Sequence, residues 1–320
     1  MWRDGGATFA GGDAGLMLPF ARVSIVGLGL IGSSIARAVR HTMPTVRITG
    51  YDADVTVREV AGALNLCDDI TDTAGAAVID AEFVILCVPV GEMGAVATAL
   101  ADDLPPEAIV SDVGSSKASV LAALHAALPH HIIVPAHPVA GTEYSGPEAG
   151  FASLFRNRWC ILTPPVWADS SSVTRVQSFW ARLGANVEIM DAVHHDLVLA
   201  ITSHVPHLIA YTIVGTASDL ESVTKSEVIK YSAGGFRDFT RIAASDPIMW
   251  RDVFLSNKEA VLEILQRFTE DLSALQRAIR WSDGDALLDL FTRTRAVRRS
   301  IIEEGQDDER PDFGRVHGTA

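Results

Sequence analysis

The sequence predicts an α/β protein: an N-terminal doubly wound parallel sheet followed by an all-α C-terminal domain. Three observations carry this expectation. An apolar strand-like run at 22–26 breaks into a glycine-rich turn and a helix-like stretch. Strand-like and helix-like segments then alternate as far as about residue 190, the pattern of a parallel sheet with crossover helices. From 191 onward apolar residues recur only at helical spacing. A length of 320 residues suits two domains. The expected boundaries are a flexible leader at 1–20, a nucleotide-binding domain at 21–190, a helical domain at 191–302 and a disordered tail at 303–320.

The glycine-rich turn is Gly27-Leu28-Gly29-Leu30-Ile31-Gly32, a G-x-G-x-x-G pattern. Gly27 permits the tight turn, Gly29 lets the backbone approach a pyrophosphate, and Gly32 lets the helix pack closely on the strand. Leu30 and Ile31 lie in this turn and are expected to border the cofactor; Ser33 to Val39 then has helical composition, and the N-terminal N–H groups and positive dipole end of that helix suit phosphates. A second strand, Arg47–Tyr51, ends in Asp52, which lies 20 residues past Gly32. A carboxylate there accepts hydrogen bonds from ribose hydroxyls and repels a 2′-phosphate, which favours NAD over NADP. The turn alone is a weak signal; with its acidic partner it reads as a Rossmann-type dinucleotide site.

Further strands are expected at 83–88, 108–111 and 132–135, with helices near 54–64, 91–104 and 117–128. Ligands of such sheets bind beyond the carboxyl ends of the strands. The loops found there are Cys87-Val88-Pro89, Asp112-Val113-Gly114-Ser115 and His137-Pro138, so Val88 and Pro89 are expected to border the cofactor. Two more strands are expected at 159–163 and 186–190, with a helix near 173–183 between them. In the helical part, Asp246-Pro247 reads as an N-cap followed by proline at the first helical position. Another helix is expected at about 285–302. The abundance of apolar positions there suggests a surface covered by a second copy, hence a homodimer.

A net charge of −14 argues against nucleic acid as partner. An anionic substrate would need locally placed cations. Cys67, Cys87 and Cys160 are scattered and lack a C-x-x-C pair, which fits a reducing cytoplasm and offers no zinc or disulfide framework. The first 20 residues lack the cationic start and apolar core of a signal peptide. No continuous apolar run approaches the ~20 residues of a membrane span, so no membrane partner is expected.

His137 follows a strand, and Pro138 restricts its backbone to extended conformations. An imidazole there suits a base that takes a hydroxyl proton while hydride leaves the same carbon; a structural histidine is the alternative. Ser115 reads as a partner of His137 or of a substrate hydroxyl, or as a helix cap. His194, His195, His204 and His207 crowd the start of the helical domain. His204 and His207 share a helical face, but no supporting carboxylate or H-E-x-x-H spacing accompanies them, so no metal is expected. His207 reads better as a hydrogen-bonding group near a ligand. In the segment SAGGFRDFTRIA, Arg237 and Arg241 lie four apart on one helical face among apolar residues. That suggests buried guanidinium groups able to bind a carboxylate, with Asp238 holding Arg241; a surface i,i+4 cluster is the alternative.

HPVAGTE, SHVPH and SAGGFRDFTRIAASDPIMWRD, beside the dinucleotide fingerprint, resemble the prephenate dehydrogenase family, which includes arogenate and cyclohexadienyl dehydrogenases of tyrosine biosynthesis. The resemblance covers roughly residues 20–302. It implies NAD-dependent oxidative decarboxylation of prephenate to 4-hydroxyphenylpyruvate, of arogenate to tyrosine, or of both. It further implies that His137 accepts the hydroxyl proton, Ser115 orients the hydroxyl, Arg241 binds a substrate carboxylate and His207 lines the pocket. Thr142, Glu143, Asp238 and Trp250 match positions that border or gate it; Glu143 could contact the arogenate ammonium or pair with an arginine. With only a short tail beyond 302, any inhibition by tyrosine is expected to be competition at the active site. The rivals are another NAD-dependent 3-hydroxyacid or β-decarboxylating dehydrogenase, which would leave HPVAGTE and GGFRDFTRIA unexplained, and a non-catalytic NAD-binding regulator, which would not need His137, Ser115 and Arg241 together.

Overall fold

The computed structural model describes residues 18–142, 144–219 and 234–303, with side chains as far as 300. Residues 1–17 of the expected leader, the expected tail from 304 on, Glu143, and Ser232 and Ala233 of the arginine segment lie outside the described residues. The chain divides into two compact units, Met1–His195 and Asp196–Ala320.

In the first unit a six-stranded parallel sheet is built from β1 (Arg22–Val26), β2 (Arg47–Tyr51), β3 (Asp69–Ile70), β4 (Phe83–Leu86), β5 (Ile109–Asp112) and β6 (Ile132–Ile133). Its strand order is β3-β2-β1-β4-β5-β6, which reverses direction of growth between β1 and β4. Helices α1 (Leu30–Thr42), α2 (Val55–Ala63), α3 (Ala74–Val78), α4 (Met93–Leu100) and α5 (Ala118–Ala127) connect the strands. β4 reads Phe-Val-Ile-Leu because both of its faces are covered. Phe83 and Ile85 join a core with Ile35, Val39, Phe155 and Phe179. Val84 and Leu86 join a second core with Met93, Ala97, Leu100 and Leu124 on the opposite face. Asp54 caps α2 by accepting from Thr56 N–H at 2.8 Å.

Two expectations are corrected here. Phe20, assigned to a flexible leader, is buried and stacked on Phe83 with ring centroids 4.4 Å apart. The strand expected at 132–135 ends at Ile133, and β7 (Ala136–Pro138) starts a different sheet. Pro135 offers no N–H to continue the ladder. β7 pairs antiparallel with β8 (Trp159–Leu162), and β8 pairs parallel with β9 (Asn186–Ile189). α6 (Ser170–Arg182) lies between β8 and β9 and is capped by Asp169, which accepts from Ser172 N–H at 2.9 Å. The hydroxyl and amide bonds of Ser171 and Ser172 pull the Asp169 carboxyl down to about 2.

α7 (Ala192–Leu199) starts in the first unit and ends in the second. The second unit continues with a π-helical turn, Ala200–His204, and with α8 (Val205–Asp219), α9 (Gly234–Thr240), α10 (Pro247–Ser256), α11 (Lys258–Arg280) and α12 (Gly284–Glu303). Asp246 caps α10 by accepting from Met249 N–H at 2.8 Å, with Pro247 at the first helical position, as expected. Ala192–Asp219 forms 28 helical residues long and apolar enough to cross a membrane by length and composition. The reading of the sequence missed this because His, Ser and Thr interrupt the apolar run.

Candidate active site

The turn after β1 shows why each glycine stands where it does. Gly27 has φ +99°, and a Cβ there would lie 2.4 Å from the Cys87 carbonyl oxygen. A Cβ at Gly32 would lie 2.0 Å from the Gly27 carbonyl oxygen, so α1 can sit this close to β1 only without one. At Gly29 a Cβ would meet nothing within 4 Å: the backbone there faces open space, as an approaching phosphate requires. Leu30 and Ile31 form the half-buried first turn of α1, packed against the core. Its first helical bond runs from Ser33 N–H to the Gly29 carbonyl at 3.0 Å, so the N–H groups before Ser33 face outward from the helix start.

Asp52 directly follows β2 beside this turn. One of its carboxylate oxygens accepts from Leu28 N–H at 2.8 Å and the other from Asp54 N–H at 3.0 Å. Arg58 donates to the Asp52 carbonyl at 2.7 Å. Val88 and Pro89 follow β4, and Val88 packs close to Gly27. Open space at Gly29, closure at Gly27 and Gly32, and an oriented carboxylate at the next strand end together fit an adenine dinucleotide.

His137 lies in the middle of β7, opposite Ile161, rather than just past a strand end as the sequence suggested. Its side chain is nearly buried at 7% exposure. Its Nδ1 is 2.8 Å from Nε2 of His195, which is fully buried. Asp191 fixes the start of α7 by accepting from Val193 and His194 N–H at 2.8 and 3.1 Å, and His195 N–H bonds to the Asp191 carbonyl. A capped helix start therefore delivers His195 onto His137.

Below β7, Lys117 donates to the Ala136 carbonyl at 2.8 Å and pairs with the Asp112 carboxylate. Both side chains are wholly buried. Burial pushes the Asp112 carboxyl up, and the Lys117 charge and hydrogen bond pull it back. The Asp112 carboxylate also accepts from Gly114 N–H at 2.8 Å, which folds the loop carrying Ser115. Ser115 is half-buried on that loop. The hydrogen bonds of the described residues do not join Ser115 to His137; His195 holds that ring instead. Thr142 is exposed and accepts from Tyr144 N–H at 3.3 Å. Phe151 N–H donates to Ser34 Oγ at 3.1 Å and so ties the loop beyond His137 to α1.

In the second unit His207 stacks on Trp250, with ring centroids 3.7 Å apart and planes 24° from parallel. The His207 Nδ1 donates to the Ser203 carbonyl at 2.9 Å, which leaves Nε2 as the acceptor of the neutral ring. Burial holds the His207 pKa down; the Ser203 bond opposes this, and the Arg241 charge adds to it. Trp250 is itself buried on α10. Asn257 Nδ2 lies 2.8 Å from the Asp196 carbonyl and 3.0 Å from His204 Nδ1, bracing the π turn.

The expectation for Arg237 and Arg241 is corrected. α9 ends at Thr240 and Arg241 begins a 3-10 turn, so the two do not share one α-helical face. Both residues are exposed in the single chain, because α9 is a short helix whose neighbouring Phe239 is also exposed. Asp238 forms no ion pair with Arg241 among the described residues. No group of three or more metal-ligating side chains occurs among the described residues.

His195 is the functional candidate that the sequence did not single out. The only local signal was the His194-His195 pair at a helix start; its pairing with His137 spans 58 residues and is a tertiary fact.

A sheet with this strand order, a glycine turn built for a pyrophosphate and a buried histidine beyond the carboxyl edge define an NAD-dependent dehydrogenase. The sequence matches the nucleotide-binding domain of prephenate dehydrogenase over residues 35–189 and the dimerization domain of prephenate dehydrogenase over residues 191–293. It is 46% identical to a cyclohexadienyl dehydrogenase of Zymomonas mobilis over 89% of this chain and 97% of that protein. Among solved structures, it resembles prephenate dehydrogenase from A. aeolicus in complex with hydroxyphenyl propionate and NAD+, with a TM-score of 0.84 and 34% identity over 89% of this chain and 100% of that one. It also resembles Synechocystis arogenate dehydrogenase, with a TM-score of 0.74 and 25% identity over 87% of this chain and 99% of that one. The chain belongs to the prephenate dehydrogenase family.

Proposed function

We propose that the protein oxidises and decarboxylates prephenate, arogenate or both with NAD+, as a cytoplasmic homodimer in tyrosine biosynthesis. The observation that carries this reading is the buried His137, held by His195 beyond the carboxyl edge of the sheet that bears the glycine turn. Gly27, Gly29, Leu30, Ile31, Gly32, Asp52, Val88 and Pro89 would hold the dinucleotide, which when bound supplies the hydride acceptor. His137 takes the proton of the ring hydroxyl as hydride leaves the same carbon. Loss of carbon dioxide then aromatises the ring to a phenolate, to which His137 returns the proton, so the base is regenerated. Ser115 orients the hydroxyl. Arg241 binds a substrate carboxylate, the local cation that a dianionic substrate needs on an acidic protein. His207, Trp250, Thr142, Glu143 and Asp238 border the substrate. The homodimer is supported by the match to a dimerization domain and by exposed apolar residues such as Leu272, Ile279 and Phe291 on α11 and α12.

The test is NADH formation from purified protein, NAD+ and prephenate, with arogenate in parallel. Turnover of both substrates establishes a cyclohexadienyl dehydrogenase, and turnover of one names the branch. His137→Asn is expected to keep NAD binding and lose about 10²–10⁴ in rate. Unchanged turnover in that variant would remove His137 as base.

A further inference from the structure

His137 can accept a proton at Nε2 only if its own ring proton sits on Nδ1. In water the neutral imidazole carries that proton mainly on Nε2, so the useful tautomer has to be imposed by a partner at Nδ1. The structure provides one: His195 Nε2 at 2.8 Å, from a wholly buried ring. The ring planes are 68° apart and the centroids 5.1 Å apart, so the two nitrogen edges face each other and the Nδ1–H of His137 can lie along the His195 lone pair.

We infer that His195 is a positioning residue that locks His137 in the Nδ1–H tautomer and leaves Nε2 aimed at substrate as the base. This rests on the reading of His137 as proton acceptor. His195 then accepts at Nε2 and in its neutral form carries its own proton on Nδ1. When His137 becomes imidazolium, the same bond is charge-assisted and stabilises that cation. Three features keep the contact rigid: the Asp191 cap of α7, the ladder of β7 with β8, and the Lys117 bond to the Ala136 carbonyl, one residue before His137. A neutral histidine here takes the orienting place that a carboxylate holds in a serine-protease triad. The choice suits its surroundings: a carboxylate at this buried position would be an unpaired charge beside an Asp112–Lys117 pair that is already balanced.

The experiment combines tautomer detection with kinetics. In protein labelled with ¹⁵N-histidine, the His137 signals are assigned by their loss in His137→Asn. The expected wild-type state is Nδ1–H. His195→Leu should shift His137 toward Nε2–H and lower kcat by about 10²–10³, with the substrate KM and the NAD Kd each within about threefold of wild type. His195→Gln, whose side-chain carbonyl can accept at similar reach, should restore the tautomer and bring kcat to within about tenfold of wild type. A wild-type His137 carrying its proton on Nε2 would overturn the inference. So would a His195→Leu protein that turns over at the wild-type rate, or one whose His137 remains Nδ1–H. If neither prephenate nor arogenate is turned over by the wild type, the proposed function fails, while the tautomer measurement still decides the role of His195.

Discussion

Replacing Lys117 by Met tests how much of the site rests on one buried charge. The methionine keeps most of the aliphatic volume and removes the ammonium. Asp112, wholly buried, is left without its counter-charge, and the buried Ala136 carbonyl loses its 2.8 Å donor. Breaking a buried pair from one side costs about 3–5 kcal/mol, because a charge is left in low dielectric. For a unit of this size that corresponds to a fall of about 6–20 °C in melting temperature. The assay is thermal unfolding followed by near-ultraviolet circular dichroism. Adding Asp112→Asn to Lys117→Met should regain about half the loss, since no bare charge then remains. The pair also ties the Ser115 loop to the strand of His137, so the single variant should lose turnover even at temperatures where it stays folded. A destabilisation below ~1 kcal/mol would refute the reasoning, since that is the size of an exposed pair.

Gly29→Ala should leave the melting temperature unchanged, because its Cβ meets nothing within 4 Å, yet weaken NAD binding at least about tenfold by obstructing the pyrophosphate. Gly32→Ala should do both kinds of damage, since its Cβ would stand 2.0 Å from the Gly27 carbonyl; calorimetric titration and thermal melts separate the two. Asp52→Ser should raise the ratio of NADP to NAD turnover by about 10-fold or more, as it removes the charge that repels a 2′-phosphate. The His207 pKa is lowered in the folded protein, so between this lowered pKa and the ordinary value of about 6.5 the unfolded chain binds more protons. Stability should therefore fall as pH drops from about 7 through that window, and His207→Asn should flatten the slope in melting temperature against pH.

The glycine turn was legible because each glycine answers a local steric demand that a short motif can carry. Asp52 was legible because strand and helix lengths fix its distance from the turn. The break between β6 and β7 was missed, although Pro135 announced it, because an apolar run continued through it. The burial expected for Arg237 and Arg241 failed because apolar neighbours in sequence do not guarantee cover: Phe239 beside them is itself 42% exposed. His195 was beyond reach because no rule of spacing connects residue 195 to residue 137. The helix start that carries it could be read, but its destination on β7 could not.

The three cysteines of the first unit have a practical consequence. Burial pushes the Cys67 thiol up to about 12 and raises those of Cys87 and Cys160 as well. None is paired in a disulfide; Cys160 is buried, so reagents reach its thiol only when its surroundings open, while Cys67 and Cys87 are partly exposed. Cys67 sits under Gly50 of β2, Cys87 follows β4 behind the Gly27 turn, and Cys160 lies on β8 opposite Pro138. The native molecule thus carries in Cys160 a built-in probe of its own breathing. Slow alkylation of Cys160 read by mass spectrometry would time the opening of the strand paired with that of His137, with no label introduced.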